Sequence, residues 1–125
     1  MRVKDAVGRF GEQTAARYLE DAGLTILERN WRAPRMAGSD VRGELDLVAR
    51  EGGALVVVEV KTRSGTGFGS PAEAVTADKA RRVRRLAVAW LAAHPGEGHA
   101  SVRFDIVSVL RAAGGITVEH LRGAF

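Results

Sequence analysis

Two strand-like runs, GELDLVAR (43–50) and ALVVVEVKTR (54–63), meet across Gly52-Gly53, and this junction limits what the chain can fold into more than any other feature. Paired glycines accept positive φ without steric cost, so they close a tight hairpin. With Glu51 facing Ala54 across the turn, counting outward sets Asp46 opposite Glu59 and Glu44 opposite Lys61. Directly opposed residues hold their Cβ atoms about 4.5–5.5 Å apart on one face. A slip of one residue would send Asp46 and Glu59 to opposite faces, so the chemistry of this hairpin depends on its register.

The second run carries its own puzzle. Val56, Val57 and Val58 read as a strand buried in a core, yet Glu59 and Lys61 follow, alternating with Val60 and Thr62 and leaving the strand on one face. Close carboxylates repel unless something positive lies between them, and a hard cation such as Mg²⁺ or Mn²⁺ suits one or two carboxylates plus waters. A lysine beside such a site can orient a water or stabilise charge developing on a phosphate oxygen. The same residues read equally as a structural ion-pair cluster of Glu44, Glu59 and Lys61 at a sheet edge, since such networks imitate active sites. Glu12 shares the margin of a helix face with Ala15, Ala16 and Leu19. That margin reaches over the sheet near Asp46; taken alone, Glu12 is a solvated helix residue.

Around the hairpin the chain supplies helices and further strands. Val7, Gly11, Tyr18 and Ala22 recur at helical spacing over 5–22, and Gly23 ends that helix. LTILERNWR (24–32), VRFDIVSVL (102–110) and ITVEHL (116–121) read as strands, the last two joined through Ala113-Gly114-Gly115. SGTGFGS (64–70) lacks the Lys-Ser/Thr ending of a phosphate loop and reads as a mobile connection. Ser70-Pro71-Ala72-Glu73 has the form of a capping box with proline at the first helical position, with a second start signal at Thr76 and a helix running to His94. The order α-β-β-β-α-β-β predicts one α/β domain over residues 1–125, built on a mixed five-stranded sheet flanked by helices.

Composition narrows the function classes. A chain of 125 residues holds one core and not two. Its net charge of +4 favours a polyanionic partner, although 16 of its 19 basic residues are Arg, a bias that codon composition also produces. On the second helix Arg81, Arg82, Arg84 and Arg85 flank the apolar stripe Val83, Leu86, Ala87 and Trp90, as phosphate contacts or as a solvated face. Lys79, one turn into that helix, is the better phosphate contact, and Arg63 and Arg82 complete the expected nucleic-acid-binding set. With no cysteine there is neither a disulfide framework nor a thiolate zinc site, and the three histidines show no paired spacing. Asp105 reads as structural. LAVAWLAA (86–93) is too short to span a bilayer and the N-terminus has no apolar signal region, so a cytoplasmic protein without membrane association is expected. Nothing calls for a small-molecule cofactor.

GRFGEQTAARYLEDAGLTILERNWR, GELDLVAR, VVVEVKTR, GSPAEAVTADKARRVRRLA and VRFDIVSV, in this order, resemble the YraN-like family of small bacterial proteins over nearly the whole chain. That family is similar in fold to the PD-(D/E)XK nucleases, and especially to archaeal Holliday-junction resolvases. The resemblance implies a restriction-endonuclease-like core. It matches Asp46 to the first acid of the signature and Glu59-Val60-Lys61 to its Glu-x-Lys motif, with Glu12 as the helix glutamate that resolvase-like members add. Leu45 stands where the signature has proline, and the loop APRMAGSDVR (33–42) is longer than the family's usual one. The implied activity is Mg²⁺- or Mn²⁺-dependent endonucleolytic cleavage of branched or damaged DNA, in repair or recombination. Asp46, Glu59 and Glu12 would hold the metal with the Val60 carbonyl, Lys61 would act on water or phosphate, and Glu44 would be an additional member. The small size suggests a homodimer. The alternative is a non-catalytic nucleic-acid-binding or scaffold protein that keeps the nuclease fold.

Overall fold

The protein's structure, a computed structural model, describes residues 3–35, 37–65 and 75–125. Its elements are α1 (Val3–Asp21), β1 (Thr25–Arg32), β2 (Glu44–Glu51), β3 (Ala54–Ser64), α2 (Ala77–Ala93), β4 (Ser101–Ala112) and β5 (Gly115–Leu121). The five strands form one sheet in sequence order, antiparallel except for the parallel pair β3–β4, which the α2 crossover requires. The expected α/β domain with a mixed five-stranded sheet is therefore present.

Each face of the sheet is covered by one helix. Ala15, Ala16 and Leu19 of α1 pack on Leu47, Ala49, Val56, Val58, Val107 and Val109. Val83, Leu86, Ala87 and Trp90 of α2 pack on Leu45, Val48, Leu55 and Val57. A sheet buried on both sides needs near-continuous apolar strands, which is why Leu55–Val58 has no polar interruption. Tyr18, placed by helical spacing on the buried stripe, is 40% exposed instead; the small residues Gly11, Ala15 and Ala16 form the true contact line. They let α1 approach closely. A Cβ on Gly11 would lie 1.7 Å from the Thr62 hydroxyl oxygen, so only glycine permits this crossing.

The hairpin register is the expected one: Glu51 pairs with Ala54, and the ladder runs outward through Leu47–Val58. The turn needs one left-handed residue and not two, since Gly52 has φ +58 while Gly53 keeps ordinary backbone. The second helix starts at the second of its two signals. Thr76 is the N-cap, its hydroxyl accepting from the Lys79 amide at 3.2 Å. The Ser70–Glu73 capping box and most of the glycine-rich stretch lie outside the described residues. Among the described residues no helix is long and apolar enough to cross a membrane.

Candidate metal and phosphate site

Beyond Leu47–Val58 the β2–β3 ladder opens, and the backbone groups it frees need partners. Asp46 supplies one. Its Oδ2 accepts the Val60 amide at 2.8 Å, so the carboxylate sits in the gap where a strand-to-strand bond would otherwise lie. The pairing ends at Leu47–Val58, one position short of the Asp46–Glu59 opposition that the hairpin count predicts, and the negative charge of Asp46 still acts on Glu59. The Glu59 side chain points toward α2, where Lys79 Nζ stands 3.4 Å from its Oε1. Its other oxygen, Oε2, is buried and has no hydrogen-bond partner among the described residues.

The electrostatics follow from that burial. Glu59 is only 6% exposed, and desolvation, then the negative charge of Asp46, push its pKa up to about 7 against the opposing pull of Lys79. Asp46 is also raised, chiefly by burial, with the Val60 amide and the Lys79 charge acting against it. Glu12 is raised by partial burial and then by Asp46, while a hydrogen bond from the Asn30 side chain favours its charged form. Three carboxyl groups thus hold protons more tightly than free acids do. Added positive charge would release them.

A cavity of about 360 Å³ opens onto Asp46, lined by Gly8, Glu12, Val60, Lys61 and Thr62. Lys61 is exposed on its wall. The close crossing at Gly11 brings the adjacent Glu12 over this cavity. Among the described residues, no three acidic or imidazole side chains stand close enough to form a ligand group by themselves. The compact set is Asp46 with Glu59, and Glu12 lies at the margin.

The remaining expected residues fall in different places. Glu44 would face Lys61 if the ladder continued, but its carboxylate bonds Arg32 of β1 at 2.7 Å, because the strands have parted there. Lys79 meets Glu59 instead of standing free for a phosphate. Arg63 follows Lys61 by two residues on β3 and shares its face by strand alternation. Arg82 lines a second groove, of about 300 Å³, between α2 and the loop at Asp40–Arg42. In that groove Arg85 pairs with Asp40 and Arg81 with Asp78.

Two features escaped sequence reasoning. Asn30 is the only non-glycine described with positive φ, at +51, and its one legible sign is a strand-disfavoured asparagine between Arg29 and Trp31. The other is a lock around Asp105, which is fully buried. Arg103 binds it with two bonds of 2.8 and 2.9 Å, His120 Nε2 lies 2.7 Å away, and the Gly123 amide donates at 2.9 Å. Burial pushes this carboxyl up, but the combined donors prevail and hold it below the usual aspartate range. These contacts tie the C-terminal segment to β4, so the structural role expected for Asp105 is the one it has.

A model of the family described as Uncharacterised protein family UPF0102 matches residues 11–109 of the chain. Among curated relatives, a UPF0102 protein of Frankia alni is 59% identical over 100% of this chain and 98% of its own length. One from Acidothermus cellulolyticus is 51% identical, covering 98% of this chain and 96% of the relative. One from Streptomyces coelicolor is 52% identical, with 98% and 91% covered.

Proposed function

The chain belongs to the UPF0102 family, and from the opened β2–β3 ladder we propose that this member is a divalent-metal-dependent DNA endonuclease. The observation that carries the reading is Glu59 Oε2: a buried carboxylate oxygen with no hydrogen-bond partner among the described residues, beside the half-buried carboxylate of Asp46. An acid is costly to keep in such a place unless something compensates it. Two carboxylates and the Val60 carbonyl fit Mg²⁺ or Mn²⁺, which retain waters and need few protein ligands. Glu12, at the margin, fits a hydrogen bond to one of those waters better than direct ligation.

A bound Mg²⁺ or Mn²⁺ would supply Lewis-acid stabilisation and a more acidic water. The chain's own residues do the rest. Asp46 and Glu59 hold negative charge at the gap, and the Val60 amide fixes the Asp46 carboxylate in one orientation. Lys61 offers an ammonium at the cavity wall, placed to stabilise a phosphate oxygen as charge builds on it. Arg82, in the groove beside α2, adds sequence-independent attraction for a phosphate backbone, in keeping with a chain of net charge +4.

The Lys79–Glu59 ion pair favours a second reading, in which an internal lysine has taken over neutralisation of the acid and the fold serves binding alone. Incubating the protein with linear, flapped and four-way-junction DNA in Mg²⁺, Mn²⁺ or EDTA separates the two. Cleavage that vanishes in EDTA, in Asp46→Asn and in Lys61→Ala is the result expected of the nuclease. Binding without cleavage in either metal would leave the scaffold.

A further inference from the structure

We infer that Asn30 is the positioning residue of this site: its left-handed backbone turns β1 and β2 together, so that Asp46, at the gap beside Glu59, also meets Glu12 across the cavity. The inference rests on the metal-site reading above for its purpose, but its geometry stands without a metal.

The pairs Arg29–Leu47 and Trp31–Leu45 flank Asn30 in the β1–β2 ladder, which sets Asn30 across from Asp46. Strict alternation would give each strand one side chain per face in turn. Both strands break that rule here. On β1, Arg29 reaches Glu20 of α1 and the Asn30 side chain favours the charged form of Glu12 of α1, whereas Trp31 packs into the α2 core. On β2, Leu45 packs into the α2 core and Leu47 into the α1 core, although alternation would put them together. Asp46, between them, sits at the change of side: its carboxylate accepts the Val60 amide within the sheet, feels the Lys79 charge from α2 and lines the cavity with Glu12 of α1. Without the break, Asp46 would follow Val48 wholly to the α2 side, away from Glu12.

The joint that produces this change is visible in the backbone. A φ of +51 is a left-handed conformation that only glycine adopts freely and that asparagine tolerates best among other residues. Strain of this kind persists where surrounding structure demands it, and it gathers at functional sites. A glycine would satisfy the backbone as well. Asparagine adds a polar side chain that favours the charged form of Glu12, so one residue would both bend the strand and act on the carboxylate beside the cavity.

Three variants of the full chain test the two halves of this inference. Asn30→Gly keeps the backbone turn and deletes the amide. In Mn²⁺ titration calorimetry it is expected to weaken binding about tenfold, as loss of an outer hydrogen-bond partner does, and to have no further effect in a Glu12→Gln background. An equal loss in both backgrounds, or none in the wild type, overturns the role of the amide. Asn30→Val introduces a β-branched residue hostile to positive φ. With EDTA present, its Val60 amide is expected to exchange with solvent at least about tenfold faster, because Asp46 no longer accepts from it. Protection at Val107, deep in the core, stays as in the wild type and reports that the fold is intact. In Asn30→Gly the Val60 amide keeps its protection. Unchanged Val60 exchange in Asn30→Val overturns the backbone role. Faster exchange in a protein that binds no Mn²⁺, or binds it indifferently to Asp46→Asn, upholds the joint and removes the metal reading instead.

Discussion

Replacing Glu59 by Gln should make the metal-free protein more stable above neutral pH, an unusual result for a residue at the centre of a site. The native state holds the Glu59 proton up to about pH 7, while an unfolded glutamate releases it near its ordinary value of 4.5. Between those values the native state binds more protons than the unfolded state. Stability contributed at this position therefore falls as pH rises through that window and is lowest above it. The span of roughly 2.5 pH units corresponds to about 3 kcal/mol. Glutamine carries no charge at any pH and escapes this loss, though Lys79 then loses its partner and the gain is smaller to that extent. In EDTA, urea denaturation at pH 8 should find Glu59→Gln more stable by about 2–3 kcal/mol, near 10 °C in Tm for a chain of this size, with the difference vanishing at pH 4.5. A variant less stable than the wild type at pH 8, or a difference independent of pH, would refute the claim that Glu59 is buried without adequate compensation.

Mn²⁺ binding should strengthen between pH 6 and 8, by up to about tenfold per pH unit below 7, because the ion must displace the proton that Glu59 retains to about pH 7. Calorimetry across that range checks it, and the dependence should be gone in Glu59→Gln. Gly11→Ala should cost about 1–3 kcal/mol in denaturant titration and weaken Mn²⁺ binding, since its Cβ would meet the Thr62 hydroxyl and push α1, with Glu12, off β3. Thr62→Ala should recover only part of that loss, as the residue 62 Cβ would still stand 2.9 Å away. Asp105→Asn should destabilise the protein by about 3 kcal/mol or more, because Arg103 would be left without its buried charge partner. With its pKa held low in the native state, Asp105 contributes stability above the unfolded value of 3.8 and loses it as pH falls through the lowered one. The wild type should accordingly show an acid transition that the variant lacks.

The features legible in the residues alone are local or repeat at short range. The Gly52-Gly53 pair set the β2–β3 register as far as Leu47–Val58, the pair just before Asp46 and Glu59. Apolar runs and start signals located the seven elements of the described residues, and Val56–Val58 announced a strand covered on both faces. The acid pair and Lys61 were legible because their spacing is short and the turn between the strands is tight. The rest depends on where strands part and on which helix lies over them, which long-range packing settles. The count could not foresee that the ladder opens past Leu47–Val58, so Glu44 takes Arg32 and the Val60 amide turns to a side chain. Lys79 looked like a phosphate contact because pattern shows a cation at a helix start, but not that packing would bring it onto Glu59. The buried Asp105 lock joins β4 to a histidine 15 positions on and to an amide beyond it, a meeting made by strand pairing and not by spacing. Asn30 shows the division most clearly. Asparagine permits a left-handed turn, but only the surrounding strands require it to make one there.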